Sequence, residues 1–464
     1  MTQIQPFMTK ITLLLCLTAF FQFHFTSSKP IGFSLKLIPR DSPNSPLYQG
    51  NLTKHERMQR LINITQAKAH YLQYKSSPNS SIVLENIRFT MIRDIFYFAV
   101  HVSIGNPIWQ GYLLMDTGGG LIWTQCEPCI SCFHLEYDND DPRASSSYSR
   151  LPCDHPLCQA GLYQCVNGQC IYEVTYGGGD HDEDVRGLTQ GYATLETFKF
   201  NTMRGGDPVF INDIIFGCSN DNQGFRFGAD DNIAGVMGMS MSLDSLVSQL
   251  SDRIEKKFSY CLPSMLDEIE NDILLNFGSD IPIPQNLQST PFVTPAWANP
   301  YFYLNLLDIS VGQDRIGFPP GTFQVSHDGT QGFFIDSGFP ITTLNQNAYG
   351  TNVYLEVMNK FQAHYDSHKL ERSSDSPHGF ELCYEQPHDF HDFLTMTYHF
   401  ERFAEYVVHS NDAHFFDELY DIFCVAILPG SGPSILGAFH QQNKRIIYNL
   451  NDNVLQFVTE TCPF

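Results

Sequence analysis

The sequence predicts a mainly β protein built from two lobes, on the basis of three observations. Short apolar strands alternate with turns rich in Gly, Pro and Asn from about residue 91 onward, whereas candidate helices are few. Apolar residues make up 42% and aromatic residues 13% of the 464 residues, enough for two or three domains with sizeable cores. The same strand-and-loop pattern also occurs once in each half of the chain, which indicates two related lobes.

The N-terminal segment predicts secretion. Lys10 precedes an apolar run over residues 11–21, and small residues follow near Ser27 and Ser28. This order is typical of a secretory signal peptide, to which we assign residues 1–28. A membrane anchor is the weaker alternative, because about 20 apolar residues are needed to span a bilayer. We therefore expect a secreted protein that does not act at a membrane.

Charge divides the chain into a basic N-terminal part and an acidic body. Residues 1–90 contain 10 Lys and Arg against 3 Asp and Glu, and the remainder contains 17 against 47. Such an acidic body argues against nucleic acid or an anionic membrane as a partner. We interpret residues 29–90 as a prosegment that binds the body electrostatically and is released as carboxylates protonate in acid. The alternative is that this segment is only a solvated tail.

The predicted prosegment also contains a helix and the candidate glycosylation sites. A ragged apolar face predicts a helix over residues 55–74. The only Asn-x-Ser/Thr sequons are at Asn51, Asn63 and Asn79, so N-linked glycans are expected on this segment. In the body, helices are predicted over residues 242–257 and 346–364. A proline-containing linker over residues 286–300 separates a first lobe, residues 91–293, from a second, residues 294–464.

Twelve of the thirteen cysteines remain after the signal peptide, with Cys16, is removed. An even number in an oxidising compartment predicts up to six disulfides. The spacing of Cys126, Cys129 and Cys132 would suit zinc in a cytosolic chain, but the dense cysteines that follow favour disulfides. Their pairing does not follow from the spacing.

The repeated pattern is an apolar strand followed by Asp, a hydroxyl residue and Gly. Its copies are Asp116-Thr117-Gly118 and Asp336-Ser337-Gly338. Two adjacent carboxyl groups that share one proton can activate water and polarise an amide carbonyl without a metal. We expect the two hydroxyls to brace the two loops against each other, and the glycines to permit tight turns. A single copy would more often be an ordinary turn, but two copies predict a catalytic pair.

A second repeated feature supports the duplication. Asp116 is followed within its half by Gly235-Val236-Met237-Gly238, and Asp336 by Ser434-Ile435-Leu436-Gly437. An apolar pair before a glycine thus recurs after each aspartate at a similar offset. This is a duplication of lobe size rather than a short repeat.

Several further stretches resemble one known family. They are residues 32–47, 121–126, 128–129, 132–133, 216–218, 233–238, 258–262, 434–437 and 441–443. Over nearly the whole chain, the sequence resembles pepsin-like aspartic proteases, specifically the plant nepenthesin-like group. The resemblance implies a pepsin-like double β-barrel, with the active-site cleft between the lobes and a cysteine-rich insertion in the first lobe. It also implies a monomeric aspartic endopeptidase that acts on polypeptides in the apoplast or vacuole and needs no cofactor.

The resemblance assigns further residues. Tyr176 and Gly177 match the flap, a hairpin whose tyrosine closes over the substrate, although an ordinary strand tyrosine is the alternative. Cys383 and Cys424 resemble the family's disulfide in the second lobe.

The chain departs from the family at the fourth position of each catalytic loop. Gly119 and Phe339 replace hydroxyl residues that normally donate hydrogen bonds to the outer carboxylate oxygens. Phe339 is bulky, and we expect it to narrow the cleft or to tilt the Asp336 loop. The alternative function is therefore a catalytically impaired homologue that binds other proteins or inhibits cell-wall-degrading glycosidases.

Two weaker candidate sites remain. The glycines at 177–179 suit a phosphate loop, but no Lys-Ser/Thr follows them, so a flexible hairpin tip is favoured. His388 and His391, with Asp389 and Asp392, have ligand chemistry for a metal, but a solvated acidic loop is favoured. We therefore predict no metal site.

Overall fold

The structure is a computed structural model. It describes residues 31–48, 50, 52–76, 97–159, 163–176, 187–200, 207–224, 232–267, 273–295, 301–374 and 377–462. The predicted signal peptide lies outside these residues, as do the sequons at Asn51 and Asn79. Strands dominate, as the turn-rich apolar pattern predicted.

The strands of the N-terminal half are β1 (Gly32–Pro39), β2 (Phe98–Ile104), β3 (Trp109–Asp116), β4 (Trp123–Gln125), β5 (Ser149–Arg150), β6 (Gln164–Val166), β7 (Gln169–Tyr176), β8 (Gly187–Phe200), β9 (Val209–Gln223), β10 (Ile233–Gly238), β11 (Lys257–Cys261) and β12 (Ile273–Gly278). Those of the C-terminal half are β13 (Gln288–Val293), β14 (Phe302–Leu304), β15 (Leu306–Val311), β16 (Asp314–Arg315), β17 (Phe333–Ile335), β18 (Thr342–Asn345), β19 (Cys383–Glu385), β20 (Met396–Phe400), β21 (Glu405–Val408), β22 (His414–Asp417), β23 (Ile422–Val425), β24 (Ile427–Gly430), β25 (Ser434–Leu436), β26 (Lys444–Asn449) and β27 (Val454–Thr459).

The α-helices are α1 (Lys54–Ser76), α2 (Pro156–Gln159), α3 (Leu246–Leu250), α4 (Val353–Ser367) and α5 (Ser410–Ala413). Short 3-10 turns lie at Pro142–Ala144, Ser251–Ile254, Glu401–Phe403 and Ala438–Gln441.

The two lobes repeat one strand topology around the predicted catalytic loops. In the first lobe, β3 is parallel to β10, β10 is antiparallel to β4, and β4 is parallel to β9. In the second lobe, β17, β25, β18 and β24 follow the same sequence of parallel, antiparallel and parallel pairings. The duplication inferred from the two Asp loops therefore extends to the strands that hold them.

One antiparallel sheet joins the lobes. Its strands pair in the order β1, β12, β11, β26, β27 and β13. The linker predicted over residues 286–300 is therefore wrong in part, because β13 pairs with β27 within this sheet. The sequence did not predict a strand in this region because prolines are rare inside strands, and Pro291 lies within β13 itself.

The predicted prosegment is packed against the body at two places. Its strand β1 pairs with β12 along one edge and with β2 at its end. Its helix α1 matches the predicted helix over residues 55–74 within two residues at each end. Met58, Leu61 and Ile62 of α1 are fully buried in the main apolar core. The ragged apolar face of the sequence is thus the face that packs on the body.

All twelve cysteines expected to remain after signal removal form six disulfides. The pairs are Cys126–Cys218, Cys129–Cys132, Cys153–Cys165, Cys158–Cys170, Cys261–Cys462 and Cys383–Cys424. The pairing of Cys383 with Cys424 matches the expectation from the resemblance, and Cys126, Cys129 and Cys132 are not a zinc site.

Both helices predicted in the body begin later than the sequence suggested. Within residues 242–257 only α3 and one 3-10 turn form, because Ser245 caps α3 by accepting from Ser248 N. Within residues 346–364 the helix α4 begins only after Asn352, which caps it by accepting from Leu355 N. These polar caps start each helix beyond the point at which the apolar pattern begins. No helix among the described residues is long and apolar enough to cross a membrane.

Candidate active site

The structure brings the two predicted catalytic loops into direct contact. Thr117 Oγ1 donates a 2.6 Å hydrogen bond to Asp336 Oδ1, so the residue after one aspartate holds the other. Both aspartates are largely buried, at 9% exposure for Asp116 and 5% for Asp336. One side chain therefore links the two halves of the chain at the acids themselves.

Each loop holds its own carboxylate in the same way. Gly118 N donates to Asp116 Oδ1 at 3.0 Å, and Gly338 N donates to Asp336 Oδ1 at 2.7 Å. The loops thereby supply backbone donors to the inner oxygens, as the tight turns at the two glycines allow. Each buried carboxyl group is therefore held by a backbone hydrogen bond from its own loop.

The second repeated feature explains how each aspartate is positioned. Gly238 is the register partner of Asp116 in the β3–β10 pair, and Leu436 is the partner of Ile335 in the β17–β25 pair. Asp116 O accepts from Met239 N at 2.8 Å, and Asp336 N donates to Leu436 O at 3.2 Å. Each apolar pair therefore lies in the strand beside the one that carries its aspartate.

The glycines that end these apolar pairs are required by close backbone approach. A Cβ placed on Gly238 would lie 2.0 Å from Gly120 O, and a Cβ placed on Gly437 would lie 2.6 Å from Ile341 C. Any side chain at either position would push a catalytic loop away from its neighbouring strand.

Phe339 does not disturb the second loop in the way the sequence suggested. Its ring is fully buried in a small cluster with Tyr303, Phe334 and Ile435. The Asp336 loop keeps both its cross-loop bond and its own backbone bond. The ring also does not lie between the two acids, because it is buried in an apolar pocket of the second lobe.

Gly119 has a different consequence from the one expected. A Cβ at this position would lie 2.5 Å from Asp116 Oδ2. The outer oxygen of Asp116 occupies the space that a side chain would need. The family's serine at this position would therefore have to turn the carboxylate before it could donate a hydrogen bond to it.

The hydroxyl of Ser337 does not mirror that of Thr117. Within the described part of the chain, its oxygen has no hydrogen-bond partner of normal geometry, although it lies close to the Tyr260 hydroxyl. Tyr260 in turn donates to Gln441 Oε1 at 2.6 Å and lies 2.9 Å from the Tyr448 hydroxyl. Burial raises the pKa of Tyr260 well above its ordinary value, so this phenol stays neutral beneath the loop.

The predicted flap is described only in part. Tyr176 is the last residue of β7, where it pairs with Gly187 of β8, so a hairpin leads toward the predicted tip. The side chain of Tyr176 and all of Gly177 lie outside the described residues.

Two residues close to the loops were not singled out from the sequence. Lys68, on α1, is buried, and a Cβ placed on Gly338 would lie 2.9 Å from its Nζ and 3.1 Å from Asp336 Oδ1. Tyr301 of the second lobe lies against Gly118 of the first, 3.1 Å from a Cβ placed there. The charge contrast between the N-terminal segment and the body indicated docking, but no local pattern marks either side chain as an active-site neighbour.

The histidine-rich region forms a cluster other than the one considered from the sequence. Asp392 lies beside His364 of α4 and His368, which caps this helix, with oxygen–nitrogen distances of 3.5 Å and 3.3 Å. From the sequence, His388 was considered with His391 because they are close in sequence, and a solvated loop was favoured there. The four-residue spacing of His364 and His368 was the signal that could have identified the observed cluster.

Comparisons with known proteins identify the family to which the chain belongs. Residues 98–279 match a family model described as xylanase inhibitor N-terminal, and residues 301–459 match one described as xylanase inhibitor C-terminal. The chain is 33% identical over 416 residues to aspartic proteinase nepenthesin-2 of Nepenthes gracilis, covering 89% of this chain and 87% of the relative. It is 31% identical over 444 residues to nepenthesin-1 of the same organism, covering 95% and 92%.

A solved structure shows the same fold at low sequence identity. The crystal structure of edgp superposes with a TM-score of 0.62 at 15% identity, covering 79% of this chain and 91% of that one. The two-lobed, mainly β architecture predicted from the sequence is therefore confirmed as pepsin-like. The chain belongs to the pepsin-like aspartic protease family, in its plant nepenthesin-like group.

Proposed function

We propose that this protein is a secreted aspartic endopeptidase, made as an inhibited precursor, in which Asp116 and Asp336 jointly activate one water molecule. The observation that carries the proposal is the bond from Thr117 Oγ1 to Asp336 Oδ1, because it ties the two acid loops together. The substrate is a polypeptide bound in the cleft between the lobes, and the protein acts as a monomer in the apoplast or vacuole.

The chemistry follows from two carboxyl groups that share a single proton. The charged member takes a proton from water as the water attacks the peptide carbonyl, and the protonated member donates a hydrogen bond to the carbonyl oxygen. Because two adjacent carboxylates repel each other, one proton stays on the pair over a range of acidic pH. The protons held by the pair then protonate the leaving nitrogen, so the reaction needs neither a metal nor a covalent intermediate.

Helix α1 supports the inhibited precursor, because it lies against both lobes at the site. Ala67 packs on the apolar cluster of the first lobe, while Ala69 and Leu72 pack on the Phe339 cluster of the second. Thr65 Oγ1 accepts from Ile341 N at 2.9 Å, just beyond the second catalytic loop. Lys68 brings an ammonium group against Gly338 of the second catalytic loop, where a substrate would otherwise bind. The cleft cannot accept an extended peptide while this helix remains in place.

The Lys54 ion pairs of α1 suit release in acid. Lys54 pairs with Asp267 at 3.2 Å and with Glu418 at 3.3 Å. Protonation of these carboxylates removes the charge that holds the basic helix on the acidic body. Loss of these pairs weakens docking at the pH where a carboxyl pair is catalytically competent.

The direct test is proteolysis of denatured globin by processed protein between about pH 3 and pH 6, with and without pepstatin. The proposal expects cleavage that pepstatin abolishes. A folded and processed sample that does not cleave anywhere in this range contradicts it.

A companion experiment tests the precursor. Lys68→Met in the full-length chain removes the buried ammonium, whereas Lys54→Met removes a partly exposed ion pair worth about 0–1 kcal/mol from the same helix. Faster conversion or higher basal activity in Lys68→Met than in Lys54→Met is expected. Equal behaviour of the two variants would show that Lys68 does not guard the acids.

The second candidate function is that of a binding protein that inhibits glycosidases. It is favoured by the loss of both fourth-position hydroxyls at Gly119 and Phe339, and by the description of the two matching family models. An inert processed protein that binds a cell-wall-degrading glycosidase tightly would establish this function in place of the first.

A further inference from the structure

We propose that His364, His368 and Asp392 form a binding site for a transition-metal cation of the zinc class. The site lies at the C-terminal end of α4, where the helix meets the loop that precedes β20. It uses none of the catalytic residues, so it stands or falls independently of the proposed protease activity.

The ligand geometry already approaches that of a bound ion. Asp392 Oδ2 lies 3.5 Å from His364 Nε2 and 3.3 Å from His368 Nε2. A tetrahedral zinc with ligand bonds of about 2.0–2.1 Å separates neighbouring ligand atoms by roughly 3.3–3.4 Å. Two edges of such a tetrahedron are therefore present. The three ligand atoms all lie within 4.8 Å of one another, so rotation of the imidazole rings can close the third edge.

The backbone places the two imidazoles on one face. His364 is in the last turn of α4 and His368 caps it, with His368 N donating to His364 O at 3.3 Å. Residues four apart on a helix face the same way, which is the spacing that lets two histidines bind one metal ion. The ring centroids are 4.8 Å apart.

The loop that supplies Asp392 is fixed by aromatic packing. Leu394 N donates to the hydroxyl of Tyr365, which also lies 2.7 Å from His414 Nε2. On the other side of Asp392, Phe390 packs edge-on against His368, with centroids 5.3 Å apart. The residues on both sides of Asp392 are therefore held against α4 without any ion. Binding an ion consequently costs little conformational entropy of this loop.

Binding requires one proton to move. His364 Nε2 also lies 2.8 Å from the backbone oxygen of Asp392, a distance at which that nitrogen carries the hydrogen. To coordinate through Nε2, the ring must adopt the Nδ1–H tautomer, in which this hydrogen has moved to Nδ1. His368 and Asp392 are exposed, so water completes the coordination shell.

The donor set selects the class of ion. Two imidazoles and one carboxylate suit Zn²⁺, Ni²⁺ or Cu²⁺, whereas Ca²⁺ and Mg²⁺ prefer shells made of oxygen. A bound ion would join the end of α4 to the loop and stabilise this edge of the second lobe.

Calorimetric titration of the untagged full-length chain with Zn²⁺ near pH 7.5, where ordinary imidazoles are largely neutral, tests the site. We expect one ion per chain, and Co²⁺ in its place should give the visible absorption of a low-symmetry site. His364→Gln and His368→Gln should each weaken binding at least roughly tenfold. Asp392→Asn, at an exposed position, should weaken it with no effect on folding.

Two controls make the result decisive. The double variant His388→Gln/His391→Gln removes the neighbouring histidines of the same loop and should leave the affinity for Zn²⁺ within about twofold. Excess Ca²⁺ should not compete. The proposal is overturned if the wild-type chain shows no saturable Zn²⁺ binding, if His364→Gln and His368→Gln bind as tightly as wild type, or if only the loop double variant loses the ion.

Discussion

The two predicted catalytic loops share a sequence pattern, but their side chains make different contacts. In the first loop, the Thr117 hydroxyl reaches across to Asp336, and Gly119 leaves room for the outer oxygen of Asp116. In the second, the Ser337 hydroxyl has no hydrogen-bond partner of normal geometry among the described residues, and Phe339 fills an apolar cluster. The duplicated fold supplies symmetric strands and backbone donors, while the asymmetry lies in the residues at the second and fourth positions.

The comparison first predicts that both acids are equally necessary, despite the difference between their loops. Asp116→Asn and Asp336→Asn should each lower kcat/KM by roughly 10³-fold or more, because either change leaves the pair unable to share a proton. Peptide cleavage by folded, processed variants measures this. A variant that retains substantial activity would show that one acid suffices.

The second prediction separates the two hydroxyls. Thr117→Val removes a hydrogen bond to a buried carboxylate, worth about 1.5–3 kcal/mol, and should lower kcat/KM by roughly 10- to 100-fold. Ser337→Ala removes a hydroxyl that has no partner of normal geometry among the described residues, so its effect should be less than about threefold. Parallel kinetics and thermal melts of the two variants measure the difference. Equal losses would mean that the loops brace each other symmetrically.

The third prediction concerns the fourth positions. Phe339→Thr should destabilise the fold by about 2–4 kcal/mol, because it empties part of the cluster formed with Tyr303 and Phe334. Denaturant unfolding measures this loss.

At the other loop, Gly119→Ala and Gly119→Ser should each lower kcat/KM by roughly tenfold, because any Cβ there displaces the Asp116 carboxylate. The alanine variant isolates the steric effect from the hydrogen bond that a serine could add. A gain of activity in both variants would refute the steric argument.

A buried acid outside the site also distinguishes the two lobes. In the first lobe, burial and the nearby Glu196 raise the pKa of Asp140 from 3.8 to about 7. The folded state therefore binds a proton that the unfolded state releases, so stability falls as the pH rises from about 4 to about 7. Over this pH window, the free energy of unfolding should fall by up to about 4 kcal/mol less in Asp140→Asn than in wild type.

Asp308 is the control in the second lobe. It is buried too, but it accepts from Ile309 N, Gly317 N and Phe318 N and pairs with Arg315. Asp308→Asn should destabilise the fold, because it discards these charge-assisted bonds. Unfolding free energies of both variants across this pH window measure the contrast. If the free energy of unfolding depends on pH in Asp140→Asn as it does in wild type, Asp140 is not the cause of that dependence.

The local patterns of the sequence predicted the scaffold of the site well. The apolar strands before the Asp loops and the apolar pairs before Gly238 and Gly437 are short-range signals, and the glycines mark close backbone approach. They were sufficient to predict two lobes that each present one acid. The helix starts were less predictable, because capping by Ser245 and Asn352 overrides the apolar pattern that precedes them.

Contacts between distant segments could not be predicted in the same way. The position of Lys68 against the second loop depends on where α1 docks, which the net charge of the segment indicates only in general terms. The grouping of His364 and His368 with Asp392 depends on how a loop returns to the end of a helix. Phe339 was misjudged because its pocket is built from strands β14, β17 and β25, which no local pattern brings together.

The most direct measurement is the activity of the double variant Asp116→Asn/Asp336→Asn compared with its two single variants on one peptide substrate. If the acids act as one unit, each single change already removes the shared proton, and the double variant is no slower than either. Multiplied losses, or a single variant close to wild type, would mean that the two aspartates work separately, and the paired mechanism would be wrong.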